Sequence, residues 1–114
     1  MSNERHSQSD ELKARASVFA ALGDETRLSV LAKLSTGEPQ SISRLTVGTN
    51  LSRQAVTKHL GVLANAGVVR NARFGRESLF QLQPQPIEAV RDYLDRVSEQ
   101  WDDAVARLKS HGEK

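Results

Sequence analysis

Positive charge is concentrated in the middle of the 114-residue chain. Between Ser41 and Leu82, six arginine and lysine side chains stand against a single carboxylate, Glu77. The flanking segments carry slightly more acidic than basic residues, so the formal net charge of +2 understates the local excess. A basic middle predicts contact with a polyanion, unless these charges only solvate a surface. The six residues are Arg44, Arg53, Lys58, Arg70, Arg73 and Arg76.

The residue types that most enzymes need for catalysis are scarce in this chain. It has no cysteine, which excludes disulfides, thiolate metal sites and thiol redox chemistry. His59 is the one histidine away from both ends, and neither a glycine-rich phosphate loop nor a nucleophile elbow accompanies it. We therefore expect no enzymatic activity and no bound cofactor.

Hydrophobic periodicity predicts four helices in the first part of the chain. The polar segment 1–9 is expected to be a flexible arm, and residues 10–110 are expected to form one domain. After the first helix, Asp24, Ser41 and Ser52 are the expected N-caps of the next three. Steps of three and four residues predict the inward side chains of those three helices: Leu28, Leu31 and Leu34, then Ile42 and Leu45, then Val56, Leu60 and Leu63.

The periodicity changes after the fourth helix. Val68–Arg73 and Glu77–Leu82 alternate in the manner of strands around Phe74-Gly75-Arg76, which predicts a hairpin. A long helix follows and continues to about Ser110. The predicted fold class is mainly α with a small β-hairpin: a winged helix-turn-helix of five helices plus a two-stranded wing.

A short helix, a tight turn and a longer helix form a helix-turn-helix, whose second helix enters the major groove of DNA. In residues 52–66, the face opposite the apolar stripe carries Gln54, Thr57 and Lys58. Gln54 can pair with adenine, Thr57 can meet a thymine methyl group, and Lys58 can reach guanine or a phosphate. Arg53 lies to one side, where a phosphate is the expected contact. Taken alone, this face could also be an ordinary solvated helix surface.

The tip of the hairpin carries Arg73 and Arg76 beside Gly75. A basic wing can straddle a phosphate backbone or place Arg76 in a narrow minor groove. Arginine at a hairpin tip can also serve solubility alone. A basic helix and a basic wing next to each other in sequence favour DNA binding. The expected DNA-contacting residues are Ser41, Ser52, Arg53, Gln54, Thr57, Lys58, His59, Arg73 and Arg76.

Three motifs of this chain resemble those of the ArsR family of bacterial winged-helix repressors. Residues 22–28, LGDETRL, are similar to the family's opening signature L-x-D-x-T-R-L. Residues 51–60, LSRQAVTKHL, resemble its recognition-helix pattern, and residues 63–69, LANAGVV, resemble the L-x-x-A-G-L-V segment that leads into the wing. The resemblance runs in order and without gaps from Leu12 to Leu108. It implies a homodimer, joined by the first and last helices, that binds an operator as a repressor.

The chain departs from many relatives in its metal ligands. Relatives sense metals through cysteines of the third helix, or through histidine and carboxylate ligands of the last. Here residues 40–45 hold no such ligand, and His6 and His111 lie near the ends. The acidic residues of the last helix alternate with arginines, which is typical of solvated ion pairs rather than a cation site. We expect no metal, and the inducer is unidentified.

His59 stands at a position where the family also carries a histidine. It falls on the inner side of its helix, about 60° from Val56, so direct reading of a base is not expected. In the family this histidine supports the helix or meets a phosphate. We expect a structural role of this kind rather than a metal or catalytic one.

The last helix carries a continuous apolar seam with near-heptad steps. It consists of Ile87, Val90, Leu94, Val97, Trp101, Val105 and Leu108. This seam is too long to be covered by the small core of one protomer, which predicts a constitutive homodimer. Double-stranded DNA and a second copy of the chain are therefore the expected partners. The expected interface residues are Leu12, Phe19, Leu94, Val97, Trp101, Val105 and Leu108.

Nothing in the sequence resembles a signal peptide or a membrane span, so we expect a cytoplasmic protein without a membrane partner. The alternative function is a winged-helix module that binds only other proteins, because fold does not fix function. The basic helix and wing argue against this alternative. A salt-dependent shift of duplex DNA would separate the two functions.

Overall fold

Five helices and three short strands make up the described part of the chain. The structure is a computed structural model that describes the backbone of residues 2–112 and the side chains of residues 8–112. The predicted order of elements and the winged helix-turn-helix fold are confirmed. The elements are α1 (Ser2–Leu22), α2 (Glu25–Leu34), β1 (Gln40–Ser41), α3 (Ile42–Thr46), α4 (Arg53–Asn65), β2 (Val69–Phe74), β3 (Glu77–Leu82) and α5 (Pro84–Gly112).

Three helices begin at the predicted N-caps. Asp24, Ser41 and Ser52 have extended backbones, and each side-chain oxygen accepts a hydrogen bond from the backbone N–H three residues on. The three distances are 3.0, 3.1 and 3.1 Å. Each bond satisfies one of the N–H groups that a helix start leaves without a partner. The starts of α2, α3 and α4 are therefore set by single polar side chains.

The core lies under α4. Val56, Leu60 and Leu63 are fully buried, as the spacing predicts. Leu34 from α2 and Leu45 from α3 are also fully buried against them. The sheet and the last helix close the core with a few further side chains: Val68, Val69, Phe80 and Val90.

One predicted core residue is wrong. Leu28 is exposed, and Val30 joins Leu31 and Leu34 on the buried face of α2. Leu28 and Leu34 are six residues apart, so their side chains point about 120° apart around an α-helix and cannot share one narrow face. The step from Val30 to Leu34 keeps the face in line.

The start of α1 differs from the prediction. The sequence indicates a flexible arm over residues 1–9, whereas the helix already begins at Ser2; Met1 lies outside the described residues. These residues lack an apolar face, so periodicity gives no signal there. Glutamate, arginine and glutamine are nevertheless good helix formers, and extending an existing helix needs no new nucleation.

The wing is part of a three-stranded sheet rather than the two-stranded ribbon that the sequence predicts. Strand β1 pairs antiparallel with β3, with Gln40 opposite Phe80 and Ser41 opposite Leu79, so the order is β1-β3-β2. A strand of two residues is too short to show an alternating pattern. Its consequence is mechanical, because β1 runs directly into α3 and ties the helix-turn-helix to the wing.

The packing of this core can be tested by truncating Leu63 and, as a control, the adjacent residue Val62. We expect Leu63→Ala to lower the free energy of unfolding by about 2–5 kcal/mol, because the side chain is fully buried. Val62→Ala is the control and should cost less than about 1 kcal/mol, because Val62 is exposed. Urea unfolding at one fixed protein concentration measures both. Equal losses in the two variants would contradict this packing.

Candidate nucleic-acid interface

The recognition helix α4 is buried on one face and bare on the other. Gln54, Thr57 and Lys58 are all exposed on the face opposite the core. The Thr57 hydroxyl donates to the backbone oxygen of Arg53 at 2.7 Å, so its hydrogen is used within the helix, while its methyl group and its oxygen lone pairs remain available to a base. This face therefore presents an amide, a methyl group and an ammonium group, which are the groups that read base edges in a major groove.

The end of α3 is held by a residue that the sequence analysis missed. The Lys33 ammonium donates to the backbone oxygens of Leu45 and Val47, both at 3.0 Å. A cation at the C-terminal end of a helix satisfies carbonyl groups and complements the helix dipole. Gln40 in turn donates to the backbone oxygen of Lys33 at 2.6 Å. Lys33 thus fixes the turn that sets α4 against α3.

His59 faces inward and joins α4 to the junction between α1 and α2. The Arg27 guanidinium donates to Nδ1 of His59 at 3.2 Å, and Asp24 Oδ2 lies 3.8 Å from the same nitrogen. Other guanidinium nitrogens of Arg27 donate to the backbone oxygens of Ala20 and Ala21 at the end of α1. The structure therefore places His59 in a supporting role. Arg27 was missed as a partner, although it belongs to the motif LGDETRL.

Asp24 is the acidic member of this group. The hydrogen bond from the Arg27 backbone N–H, helped by the charge of its guanidinium, holds the pKa of Asp24 below its ordinary value. A lowered pKa in the folded state means that Asp24 stabilises the fold at neutral pH. This contribution is lost as the pH falls through the lowered pKa, because the unfolded chain takes up the proton first.

A surface cleft of about 310 Å³ brings together residues from the starts of α3, α4 and β3. Ser41 and Arg53, both predicted to contact DNA, line it together with Glu77 and Ser78. Ser41 and Ser52 already accept bonds from their own helices, yet each hydroxyl keeps its hydrogen to donate. The cleft lies between the start of the recognition helix and the part of β3 next to the tip of the wing.

The wing presents its two arginines at a tight turn. Strands β2 and β3 pair from Val69 opposite Leu82 to Phe74 opposite Glu77, so Gly75 and Arg76 form a two-residue loop. Gly75 has a φ of +65°, the conformation that a type II′ hairpin needs at its first loop position. Arg73 and Arg76 are exposed.

The cations of this surface are available to an external anion. Among the residues that the structure describes, no carboxylate lies within 4 Å of Arg53, Lys58, Arg73 or Arg76. Within the same residues, no group of three or more histidine and carboxylate side chains is arranged to hold a metal ion. No helix in this part of the chain is long and apolar enough to cross a membrane.

The predicted dimer residues lie mainly outside the core. On α5, Leu94, Val97, Trp101 and Leu108 are exposed, with 65% of Trp101 and 70% of Leu108 accessible. Leu12 on α1 is exposed as well. The other two are half-buried, Val105 on α5 and Phe19 on α1, where the Phe19 ring packs edge-on against Tyr93 with 6.3 Å between centroids.

A helix-turn-helix followed by a basic β-hairpin defines the class of winged helix-turn-helix DNA-binding proteins. The sequence matches the family model described as a helix-turn-helix domain over residues 22–71. An uncharacterised HTH-type transcriptional regulator, YuzN of Bacillus subtilis (strain 168), is 34% identical over 77 residues, which cover 62% of this chain and 84% of that relative. The HTH-type transcriptional regulator Rv2034 of Mycobacterium tuberculosis is 37% identical over 78 residues, which cover 68% of this chain and 72% of that relative.

Solved structures agree with these relatives. The ArsR-like transcriptional regulator from Rhodococcus sp. RHA1 superposes with a TM-score of 0.77 at 37% identity, over 87% of this chain and 92% of that one. The homodimeric winged helix-turn-helix domain of Mb0332 from Mycobacterium bovis shares the fold at 19% identity, with a TM-score of 0.65 over 82% and 85% of the two chains. This chain belongs to the ArsR family and is a DNA-binding transcriptional regulator. The family is one of transcriptional regulators rather than enzymes.

The supporting role of His59 can be separated from phosphate contact. We expect His59→Leu to lower the free energy of unfolding without DNA by about 1–3 kcal/mol, because one nitrogen of the Arg27 guanidinium loses its partner, Nδ1 of His59. The salt dependence of DNA binding should stay unchanged. Lys58→Leu, the neighbouring exposed control, should leave the free energy of unfolding nearly unaltered. A His59→Leu variant of normal stability whose salt slope falls by about one would refute the supporting role.

Proposed function

We propose that this protein is a homodimeric repressor that reads an inverted-repeat operator through α4 and the wing. The observation that carries the proposal is the exposed face of α4, flanked by arginines without ion-pair partners among the described residues. Cations without an internal partner gain most from phosphates, because each contact releases a counterion from the DNA. Such a regulator acts on chromosomal DNA, in the cytoplasm.

Two kinds of contact are assigned within this surface. Gln54 and Thr57 lie in the first turns of α4, where recognition helices reach base edges, and they read the sequence. Arg53, Arg73 and Arg76 lie at the flanks, where they anchor the phosphate backbone or enter the minor groove. Lys58 has the reach to contact either a base or the backbone.

Dimerisation is proposed through α1 and the second half of α5. Helix α5 has 29 residues and is roughly 43 Å long, yet Val90 is its only buried residue. Beyond Tyr93, apolar side chains recur in steps of three and four residues, and all of them except the half-buried Val105 are exposed in one protomer. A stripe of this kind favours a partner helix. Mb0332, which has the same fold, is a homodimer.

A two-fold dimer places two copies of α4 on one side of the DNA. The operator therefore has two inverted half-sites, about one helical turn or a multiple of one turn apart. Occupation of such a site next to a promoter excludes polymerase, and this is the mode of repression that we propose.

Base reading and phosphate anchoring predict opposite results for two variants. We expect Gln54→Ala to weaken operator binding by about 1–3 kcal/mol with little effect on scrambled duplex. Arg76→Ala should weaken binding to both duplexes similarly and lower the salt slope by about one per protomer. Titrations of each variant against both duplexes at several salt concentrations measure these effects. If Gln54→Ala weakened both equally while Arg76→Ala changed neither, the assigned face would be wrong. Binding to neither duplex by the wild type would favour a module that contacts only proteins.

The dimer seam can be tested with a charge placed inside it and a matched charge outside it. We expect light scattering to give twice the 12.6 kDa chain mass at micromolar concentration. Trp101→Glu should shift the mass toward one chain, because a carboxylate would be buried between the helices. Ala106→Glu introduces the same charge about 140° further round α5 and should leave the dimer intact. A single-chain mass for the wild type would refute the dimer.

A further inference from the structure

A cavity of about 440 Å³, open to solvent along Glu11, Ala14 and Ala89, lies between α1, the end of α4 and the start of α5. This volume falls within the range typical of sites for small molecules. Three alanines among the lining residues keep it open, since each occupies little space. The apolar part of the lining comes from Ala14, Val18, Ala66, Pro86, Ala89 and Val90.

Two charged side chains, Glu11 and Arg15, also line the cavity, and they differ in how they are held. Their closest approach is 3.7 Å between Arg15 Nη2 and Glu11 Oε2, a long ion pair of a kind worth little at a surface. The Arg15 side chain is only 21% exposed, and its guanidinium lies 5.4 Å from the centre of the Tyr93 ring. The Glu11 side chain is 59% exposed. Arg15 is therefore preorganised, whereas Glu11 is free to turn toward solvent.

We propose that this cavity binds a small apolar molecule that carries a carboxylate, and that its occupation weakens operator binding. The carboxylate pairs with Arg15 in place of Glu11, and the apolar part lies along Ala14, Val18 and Ala89. A ligand cation is disfavoured, because it would have to displace Arg15 and pair with a carboxylate that water already solvates. The regulatory half of the proposal rests on the repressor function proposed above.

The cavity borders the proposed dimer seam. On α1, Val18, which lines the cavity, lies about 100–120° around the helix from Leu12 and Phe19, whereas Arg15 lies only about 40–60° from them. On α5 the cavity residues lie before Arg91, whereas the exposed seam begins at Leu94. Arg15 therefore stands at the edge between the two surfaces, and a ligand that it binds lies next to the second copy of the chain in the proposed dimer.

The position of the cavity couples it to the recognition helix. Ala66 is the C-cap of α4, and its N–H donates to the backbone oxygen of Val62 at 3.2 Å. The next residue, Gly67, lies beside α5, where an added Cβ would be in ordinary van der Waals contact with Pro86 Cγ at 3.6 Å. A ligand wedged between α1 and α5 therefore presses on the end of α4 and changes the spacing of the two recognition helices in a dimer. Couplings of this kind typically change affinity by about 5–150-fold.

Three probes with the same tail test the head group that the cavity recognises. Octanoate, octanol and octylammonium are titrated into the full-length chain by calorimetry, and amide shifts in NMR spectra locate the bound probe. We expect octanoate to bind about tenfold or more tightly than the other two, with the largest shifts at residues 11–18, 66–67 and 85–93. Equal affinity for all three, no octanoate binding at millimolar concentration, or largest shifts outside these residues would overturn the site.

Two variants and one control distinguish the contribution of the Arg15 charge from that of the cavity volume. Arg15→Gln should reduce octanoate affinity to that of octanol and leave octanol affinity unchanged. Ala89→Leu fills the cavity and should abolish binding of both, whereas Ala106→Leu, at the exposed far end of α5, should bind as the wild type does. Unfolding curves confirm that each variant is folded. Octanoate binding that survives both Arg15→Gln and Ala89→Leu would overturn the assignment.

Operator titrations with and without octanoate test the regulatory half. We expect saturating octanoate to weaken operator binding of the wild type at least about fivefold and to leave Arg15→Gln unaffected. Operator binding without octanoate tests the repressor function separately. If the protein binds its operator and saturating octanoate changes nothing, the regulatory proposal fails while the repressor function stands. If the protein binds no operator, the repressor function fails and takes the regulatory half with it, while the ligand site is judged by calorimetry.

Discussion

The burial of Val56, Leu60 and Leu63 fixes the rotation of α4, and the rest of the molecule depends on that rotation. All three side chains are fully buried, so no other face of this helix can turn inward without losing their packing. The same rotation decides which side chains face outward, on the surface proposed to bind DNA. Gln54 and Thr57 reach outward because the apolar stripe occupies the opposite side. Stability and the proposed recognition thus come from one constraint on one helix.

The rotation of α4 about its axis does not by itself fix its position relative to the other helices. Polar contacts at the helix ends fix that position. Lys33 closes the end of α3, and the Arg27–His59 bond ties α4 to the end of α1. Arg27 and Lys33 both donate hydrogen bonds to backbone oxygens, so their charges are satisfied within the fold. The arginines of α4 and the wing have no such partner among the described residues. These positive charges therefore divide into those that bind backbone oxygens inside the fold and those that are exposed and proposed to bind phosphates, and only the three-dimensional contacts distinguish the two groups.

Features that depend on local spacing could be predicted from the sequence, whereas contacts between residues distant in the chain could not. The caps at Asp24, Ser41 and Ser52, the inward stripe of α4 and the hairpin follow from local spacing, and local spacing predicts them. The pairing of β1 with β3 and the bonds of Lys33 and Arg27 join residues that are distant in the chain, so no periodicity shows them. The DNA-contacting and dimer residues were predicted as positions on exposed faces. Twelve of these sixteen residues are exposed in one protomer, whereas Ser41, His59, Phe19 and Val105 are half-buried. Contacts with DNA or a partner chain involve a second molecule, which the spacing within one chain does not describe.

The exposed seam of α5 connects the core of one protomer to the proposed dimer. A chain of this length buries a modest core, and α5 extends well past it, with Val90 as its one buried residue. A helix that contributes so little to its own protomer is suited to pack on a partner, as proposed above, and α1 lies beside its first turns. In the proposed dimer, the same pair of helices holds the two chains together and borders the cavity next to Ala66 at the end of α4. In that dimer, anything that alters how α1 packs on α5 moves both recognition helices relative to the two-fold axis. An operator with fixed half-site spacing senses that movement directly, because two helices out of register cannot both reach their base edges.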